Sequence, residues 1–289
     1  MEFLTILIVL GLLQLWGSGG SLQQDRWFYR FCQTVSGVIA SSKPRLLILV
    51  GIPTLAVLLL QVLIDSLLFG LLSLLLYIAV LLFSLGRGDF SENIQRYLSA
   101  WIHGNFESAY ERALAIGDFK QSDAISDHVS LHEHVRSAFL YAGFERWFAA
   151  IFWFLLLGPI GAIAYRLSYL CGRSEILEEL DRQRALRFVH YLDWVPARLL
   201  VMSFALTGNF VNGFNRCWQV VFDNQPVAEL LDQCAVAGIS GVNGQRAYPA
   251  DQEHFIEYGR EEMLALQSLL SRSVICWLVI IAVVTVVSG

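Results

Sequence analysis

The sequence has few charged residues and lacks the patterns that mark several large classes of protein. Only 16% of the residues are charged, and a net charge of −5 leaves no basic stripe that could neutralise phosphates, which argues against a nucleic-acid partner. The five cysteines form no CxxC motif and no even framework, so they indicate isolated reduced thiols. The sequence has no internal repeat, and its 86–147 segment shows no alternating pattern of strands.

What the sequence has instead is a long apolar run from Leu46 to Leu85. Apolar residues make up 56% of the chain and the mean hydropathy is +0.55, values outside the usual soluble range. Because about twenty apolar residues cross a bilayer, the run predicts two spanning helices at 46–64 and 66–85. Asp65 is the one charged residue in the run, and we favour a turn there, at Asp65-Ser66, over an intramembrane carboxylate. The lipid bilayer is therefore a predicted partner.

Further apolar segments predict an all-α, polytopic helical membrane protein, with the whole chain, 1–289, as a single membrane domain. We expect about four to five spanning helices in a multi-pass arrangement. A helical segment at 86–147 is predicted to be cytoplasmic, and 223–272 to be a polar segment of helices and loops. The remaining spans are predicted as a short retained anchor at 2–16, a segment broken by Gly-Pro at 148–166, a partial span at 199–211 and a terminal anchor at 274–288.

Basic residues set the predicted orientation of the chain. The segment 23–45 is short, carries basic residues next to a span, and is therefore cytoplasmic by the positive-inside rule. Basic residues flank 148–166 on both sides, which conflicts with a simple crossing of the membrane by this segment. A simple crossing is kept as the alternative. Because Gly158-Pro159 and Gly161 interrupt this segment, we predict a re-entrant pair of half-helices there.

His128 and His132 are the candidate metal ligands of the sequence. On a helix they share a face at i, i+4, a spacing that can chelate Zn²⁺ or Ni²⁺. The string HVSLHEH is not HExxH, so no general-base glutamate lies between the two. A solvated polar turn that carries histidines by chance is the alternative, and the sequence identifies no cofactor.

Two motifs around apolar helices carry a resemblance to a known family. The string LLLGPIGAIAYRL at 155–167, followed by YLDWVPARLL at 191–200, is similar to the membrane family that contains adenosylcobinamide-phosphate synthase of the CobD/CbiB type. LGRGDFSENI at 85–94 and the glycine-rich AGISGVNG at 237–244 occupy equivalent places. The resemblance covers most of the chain in the right order, and it implies a helical membrane scaffold.

The chain departs from the synthases where their carboxylates would bind Mg²⁺ and phosphate. Tyr141 and Ala142 stand in place of a Glu-Asn pair, and Glu145 stands in place of an aspartate. Val189 and His190 replace paired aspartates, and Asp193 replaces an asparagine. The losses argue against the synthase reaction, so ATP-dependent amide formation is kept only as the alternative function, and no catalytic residue is assigned.

The pattern resembles the AmpE branch of this family. That resemblance implies a bacterial inner-membrane signalling modulator linked to β-lactamase induction and peptidoglycan recycling. The resemblance does not fix the molecular activity. A ligand-binding scaffold that senses a phosphorylated or nucleotide small molecule and a transport-coupled partner in cell-wall recycling both fit it, with other inner-membrane proteins as partners. A third interpretation is a scaffold that recruits partners through 86–147. The candidate ligand-binding residues are Arg87, Asp89, Glu145, Tyr165, Asp193 and Arg198. In this interpretation the arginines pair with anionic groups, and the carboxylates are the remaining partners for a cation or an amine.

Overall fold

The structure is a computed structural model that describes residues 1–16, 24–39, 42–64, 70–85, 90–114, 116, 127–223, 225–239, 248–249 and 251–288. Every regular element in these ranges is helical, and they contain no strand, which confirms the all-α class. The helices are α1 Glu2–Trp16, α2 Arg26–Val38, α3 Ser42–Ile64, α4 Leu71–Ser84, α5 Phe90–Ile102, α6 Phe106–Ala113, α7 His128–Gly143, α8 Ala150–Arg173, α9 Glu179–Thr207, α10 Phe210–Val220, α11 Val227–Ile239 and α12 Gln252–Ser288.

Three of the described helical stretches are long and apolar enough to cross a membrane. They are Pro44–Ile64, His128–Arg173 and Gln252–Val287. Two shorter apolar helices, Glu2–Leu15 and Leu71–Ser84, accompany them. Because an apolar helix surface of this extent needs lipid or protein around it, the protein is a helical membrane protein, as predicted. The expected turn at Asp65-Ser66 lies outside the described residues.

The chain divides into two compact units, of which unit 1 comprises 1–88 and 146–195. In unit 1 the helix α8 packs against α3 and α4, and α1 packs against α4. The Tyr77 ring on α4 meets Phe154 on α8 edge to face, at 5.9 Å between ring centroids. Its hydroxyl accepts a hydrogen bond of 2.9 Å from Gln61 Nε2 on α3. A single tyrosine therefore joins the three apolar helices.

The predicted interruption at Gly158-Pro159 is a kink inside α8. Gly158 has φ 66° and ψ −154°, a conformation essentially restricted to glycine. A π-helical turn, Phe144–Ala149, precedes α8, and such turns mark irregular helices. A Cβ on Gly161 would lie 2.4 Å from the Trp153 carbonyl oxygen, so the kinked backbone leaves no room for a side chain there. Whether this segment crosses or re-enters the membrane stays a prediction.

Unit 2 comprises 89–145 and 196–289, and its helices pack through α11 and α12. Trp101 on α5 is fully buried, and its indole N–H donates to the Ile256 carbonyl on α12 at 3.0 Å. A Cβ on Gly259 would lie 3.0 Å from the same indole, so glycine permits this close contact. The polar segments predicted at 86–147 and 223–272 thus contribute α5, α7, α11 and the start of α12 to one packed body.

Candidate functional site

Tyr165 and Asp193, two of the predicted ligand residues, are in direct contact in unit 1. Tyr165 lies on α8 after the kink, and Asp193 lies on α9. The phenol donates a hydrogen bond of 2.8 Å to Asp193 Oδ1, and both side chains are buried. A buried carboxylate is costly unless it is hydrogen-bonded or paired, so this bond stabilises an acidic group in the interior of the unit.

A cationic groove of the same unit lies on the surface of α2. It has a volume of about 450 Å³ and is lined by Asp25, Arg26, Tyr29, Arg30 and Gln33. Arg166 Nη2 on α8 donates a hydrogen bond of 3.1 Å to Asp25 Oδ2, and Arg166 directly follows Tyr165 in the sequence. Burial first, and then the Asp25 carboxylate, raise the pKa of Tyr29, whereas Arg166 lowers it. The groove therefore presents arginines together with a neutral phenol.

A buried ion pair links the start of α3 to α9. Arg45 is 1% exposed, and its Nη1 lies 2.6 Å from Asp181 Oδ2, an aspartate with no exposed surface. Its Nε also donates to the Ile39 carbonyl at 2.9 Å. Since α3 contains Pro44–Ile64, a stretch long and apolar enough to cross a membrane, the pair holds one end of that stretch against the polar part of α9.

Two of the other predicted ligand residues, Glu145 and Arg198, belong to unit 2. Glu145 is buried within the π-helical turn and belongs to unit 2. Arg198 is also in unit 2, where its Nη2 donates to the Asp223 carbonyl at 3.2 Å. Arg87 and Asp89 lie outside the described residues. These four assignments stay predictions.

The largest described set of interacting charges lies in unit 2 and was not identified from the sequence. Arg136 on α7 donates from Nε and Nη2 to the two oxygens of Asp232 on α11, at 2.7 and 2.8 Å. Its Nη1 lies 3.2 Å from Glu262 Oε2 on α12. The same carboxylate oxygen accepts a 2.6 Å hydrogen bond from His132 Nε2. We call these four residues the charge network; it joins three helices.

Two tyrosines extend the charge network on its outer side. Tyr258 donates to Glu262 Oε1 at 3.0 Å, and Arg136 Nη1 donates to the Tyr248 hydroxyl at 3.0 Å. Tyr248 in turn donates to Glu133 Oε1 at 2.9 Å. Burial raises the pKa of Tyr248 to about 12, so its hydroxyl stays protonated and can serve as a donor. Each Glu262 oxygen thus has at least one hydrogen-bond donor.

Aromatic rings enclose the histidine side of the charge network. The His132 ring lies 5.3 Å from Trp101 and 5.9 Å from Phe255, measured between ring centroids. His128 stacks on Phe106 at 5.4 Å and meets Phe255 edge to face. Asp127 is the N-cap of α7, because its carboxylate accepts a hydrogen bond of 2.7 Å from the Ser130 backbone N–H.

The predicted metal pair therefore has other contacts in the structure. His132 donates to a carboxylate, and His128 packs among rings. Within the ranges that the structure describes, no group of three or more His, Cys, Asp or Glu side chains could hold a metal ion. Chelation by His128 and His132 stays a prediction.

Comparison with known proteins connects the chain to one family. Residues 1–227 match the family model described as "Regulatory signalling modulator protein AmpE". Among curated proteins, the chain is 27% identical over 160 residues to the cobalamin biosynthesis protein CobD of Chromobacterium violaceum, which covers 52% of this chain and 48% of that protein. It is 32% identical over 127 residues to CobD of Stutzerimonas stutzeri, covering 41% of each.

The match thus spans less than half the length of either CobD protein. No solved structure gives a significant match. The family model covers well over half of the chain, and the CobD relatives agree with the resemblance carried by the motifs around Gly158-Pro159 and Pro196-Ala197-Arg198. The chain belongs to the AmpE family of regulatory signalling modulator proteins, within the wider CobD-like group of membrane proteins.

Proposed function

We propose that the chain is a multi-pass protein of the bacterial inner membrane that modulates signalling in β-lactamase induction and peptidoglycan recycling. The observation that carries the proposal is the family match over residues 1–227, since it includes the motifs at 155–167 and 191–200. The apolar helices support the membrane location. Other inner-membrane proteins are proposed as its partners.

We propose that the protein acts as a scaffold for a phosphorylated or nucleotide small molecule. In unit 1, the buried Tyr165–Asp193 pair supports the proposal, because a buried carboxylate that is held by a hydrogen bond can orient a polar ligand. The groove on α2 in the same unit offers Arg26 and Arg30, and guanidinium groups bind phosphate oxygens in a bidentate fashion. Arg87, Asp89, Glu145 and Arg198 remain proposed ligand residues as well.

The proposal is tested in a strain whose own copy of the gene has been deleted. The Tyr165→Phe variant removes only the hydroxyl that reaches Asp193, and Tyr191→Phe on α9 is a matched control because Tyr191 is 74% exposed. β-Lactamase activity is measured with a chromogenic substrate before and after addition of an inducing β-lactam. We expect Tyr191→Phe to restore the wild-type induction ratio and Tyr165→Phe to fail to restore it.

Equal restoration by the two variants, at equal membrane abundance, would remove the Tyr165–Asp193 pair from the proposed ligand site. Failure of the wild-type gene itself to change the induction ratio would instead contradict the regulatory proposal. Membrane abundance is measured by immunoblotting of an epitope tag, so that loss of folding is separated from loss of function.

The alternative function is ATP-dependent amide formation of the adenosylcobinamide-phosphate type. It is favoured by the two CobD relatives, and it is weakened by the short share of those relatives that the chain matches. The gene would have to restore corrinoid assembly in a strain that lacks the synthase. We expect no growth on corrinoid-dependent medium, and growth there would establish the alternative.

A further inference from the structure

Helix α10 and the turn that follows it carry a row of aromatic side chains on their outer surface. Phe210, Phe214, Trp218 and Phe222 follow one another at intervals of four residues, which places them along one side of a helix. Their ring centroids are 5.4, 5.8 and 6.1 Å apart in succession. Phe210 is 54% exposed, Trp218 58% and Phe222 73%. We call these four residues the aromatic ridge.

The opposite side of α10 is fixed against the rest of unit 2, so the aromatic ridge cannot turn inward. Cys217 is fully buried, and its thiol donates to the Val201 carbonyl on α9 at 3.6 Å. A Cβ on Gly213 would lie 3.2 Å from the Ala205 Cα, which shows how closely the backbones approach. Arg216 donates to Gln233 on α11 at 3.0 Å.

The start of α10 lies where α12 becomes purely apolar. After Arg272 the sequence contains no further charged residue, and this stretch belongs to the spanning helix Gln252–Val287. The Thr207 and Ser273 hydroxyls lie 3.1 Å apart, and the Trp277 indole N–H donates to Ser203 Oγ at 2.8 Å. Thr207 is the last residue of α9, so these contacts place the end of α9 at the membrane boundary of α12.

The connection from α9 to α10 is too short to move α10 away from this boundary. Asn209 caps α10 by accepting from the Asn212 backbone N–H at 3.3 Å, and its own N–H donates to the Gly238 carbonyl at 2.7 Å. Phe210, the first residue of the aromatic ridge, therefore lies three residues after Thr207, whose hydroxyl contacts Ser273 on α12.

We propose that the aromatic ridge inserts into the interface of the phospholipid bilayer, between the headgroups and the acyl chains. Tryptophan and other aromatic side chains are enriched at that depth, and amphipathic helices with Phe and Trp on one side bind there in the membrane plane. Asn215 and Gln219, both exposed next to the ridge, are suited to contact headgroups. The ridge thus anchors the α10–α11 part of unit 2 to the lipid surface.

A second copy of the chain is the competing occupant, and its fit is poorer. An aromatic side chain offers roughly 200 Å² when completely buried, so four partly exposed rings offer less than roughly 500 Å². A stable protein interface buries about 800 Å² on each partner. The aromatic ridge alone is therefore too small to hold a dimer, whereas insertion into lipid requires no minimum area from a partner surface.

The test measures the depth of the aromatic ridge with a fluorescent thiol label. Cys276 is replaced by serine, because the other four cysteines are buried, and one new cysteine is introduced at a time. Trp218→Cys and Phe222→Cys report the ridge, His254→Cys reports the polar end of α12, and Val283→Cys reports its apolar end. The full chain is reconstituted in phosphatidylcholine vesicles whose acyl chains are brominated at shallow or deep positions.

We expect labels at 218 and 222 to lose most of their fluorescence to the shallow bromine atoms and less to the deep ones. The label at 283 should be quenched by the deep bromine atoms, and the label at 254 by neither. The proposal would be overturned if no brominated lipid quenched the labels at 218 and 222. Quenching of these labels by iodide in the water would then show that the ridge faces solvent, and protection from iodide would show that a second copy of the chain covers it. The two ridge positions are independent, so one poorly folded variant does not decide the result.

Discussion

Replacing Arg136 with methionine tests whether the charge network holds unit 2 together. Methionine keeps much of the side-chain volume and removes the guanidinium that contacts Asp232, Glu262 and Tyr248. The side chains of Arg136 and Glu262 are 8% and 2% exposed, so the carboxylates left behind would stay largely out of water. Removing one partner of a buried ion pair costs about 3–5 kcal/mol.

That cost converts to a measurable change in melting temperature. A loss of 1 kcal/mol lowers the melting temperature of a domain of this size by roughly 2–4 °C, so Arg136→Met should lower it by roughly 6–20 °C. The assay uses detergent-solubilised protein and a dye that fluoresces on reaction with thiols as they become accessible. Cys217 and Cys234 are fully buried in unit 2 and serve as its reporters.

An arginine on the surface of the same unit provides the matched control. Arg96 on α5 pairs with Glu92 within one helix, and both side chains are largely exposed. Exposed pairs of this kind contribute about 0–1 kcal/mol, so Arg96→Met should change the melting temperature by roughly 0–4 °C. A shift for Arg136→Met no larger than that of Arg96→Met would refute the conclusion that the charge network stabilises unit 2.

Three further changes have distinct expected outcomes. Gly158→Ala should destabilise the protein by about 1–3 kcal/mol in the same thiol assay, because φ is +66° at Gly158. The control Gly51→Ala, in a regular helix with open space around its Cα, should leave the stability of the protein unchanged or increase it. Equal melting temperatures for the two variants would contradict the kink at Gly158. Tyr248→Phe removes a hydroxyl with two hydrogen bonds and should cost about 1–3 kcal/mol; a cost near zero would show that the hydroxyl is not needed. If 148–166 re-enters the membrane, cysteines at His134 and Gln183 should react with an impermeant reagent from the same side, and reaction from opposite sides would establish a simple crossing.

The fold class could be predicted because its signal is local. The apolar run between Leu46 and Leu85 is far longer than any soluble helix needs. In the structure it contains α4 and all of α3 except the first four residues. The irregularity at Gly158-Pro159 was likewise predictable, since a Gly-Pro step removes a helical hydrogen bond and permits a positive φ. The exact form, a kink after a π-helical turn, depends on packing that the sequence does not display.

The charge network could not be predicted, because its members are far apart in the sequence. Arg136 lies 96 residues from Asp232 and 126 from Glu262. Each of these residues looks like an ordinary charge on the polar side of a helix, and only the packing of α7, α11 and α12 buries them together. The one available signal was that His132 and Arg136 share a helix face at i, i+4. The sequence paired His132 with His128 instead, whereas its hydrogen-bond partner is Glu262.

The ligand residues were predicted from the resemblance to a family, and the structure supports some of them more than others. Tyr165 and Asp193 come from the two motifs that carry the resemblance, and they are in contact. The arginines of the groove on α2 lie outside those motifs, so a motif comparison does not include them.

The most direct test of the regulatory assignment is the β-lactamase induction ratio in a strain with and without this gene. The induction ratio is the activity after addition of an inducing β-lactam divided by the activity before. The proposed function predicts that deletion changes this ratio and that the wild-type gene, expressed from a plasmid, restores it. An unchanged ratio after deletion, in a strain whose β-lactamase is inducible, would contradict the regulatory function.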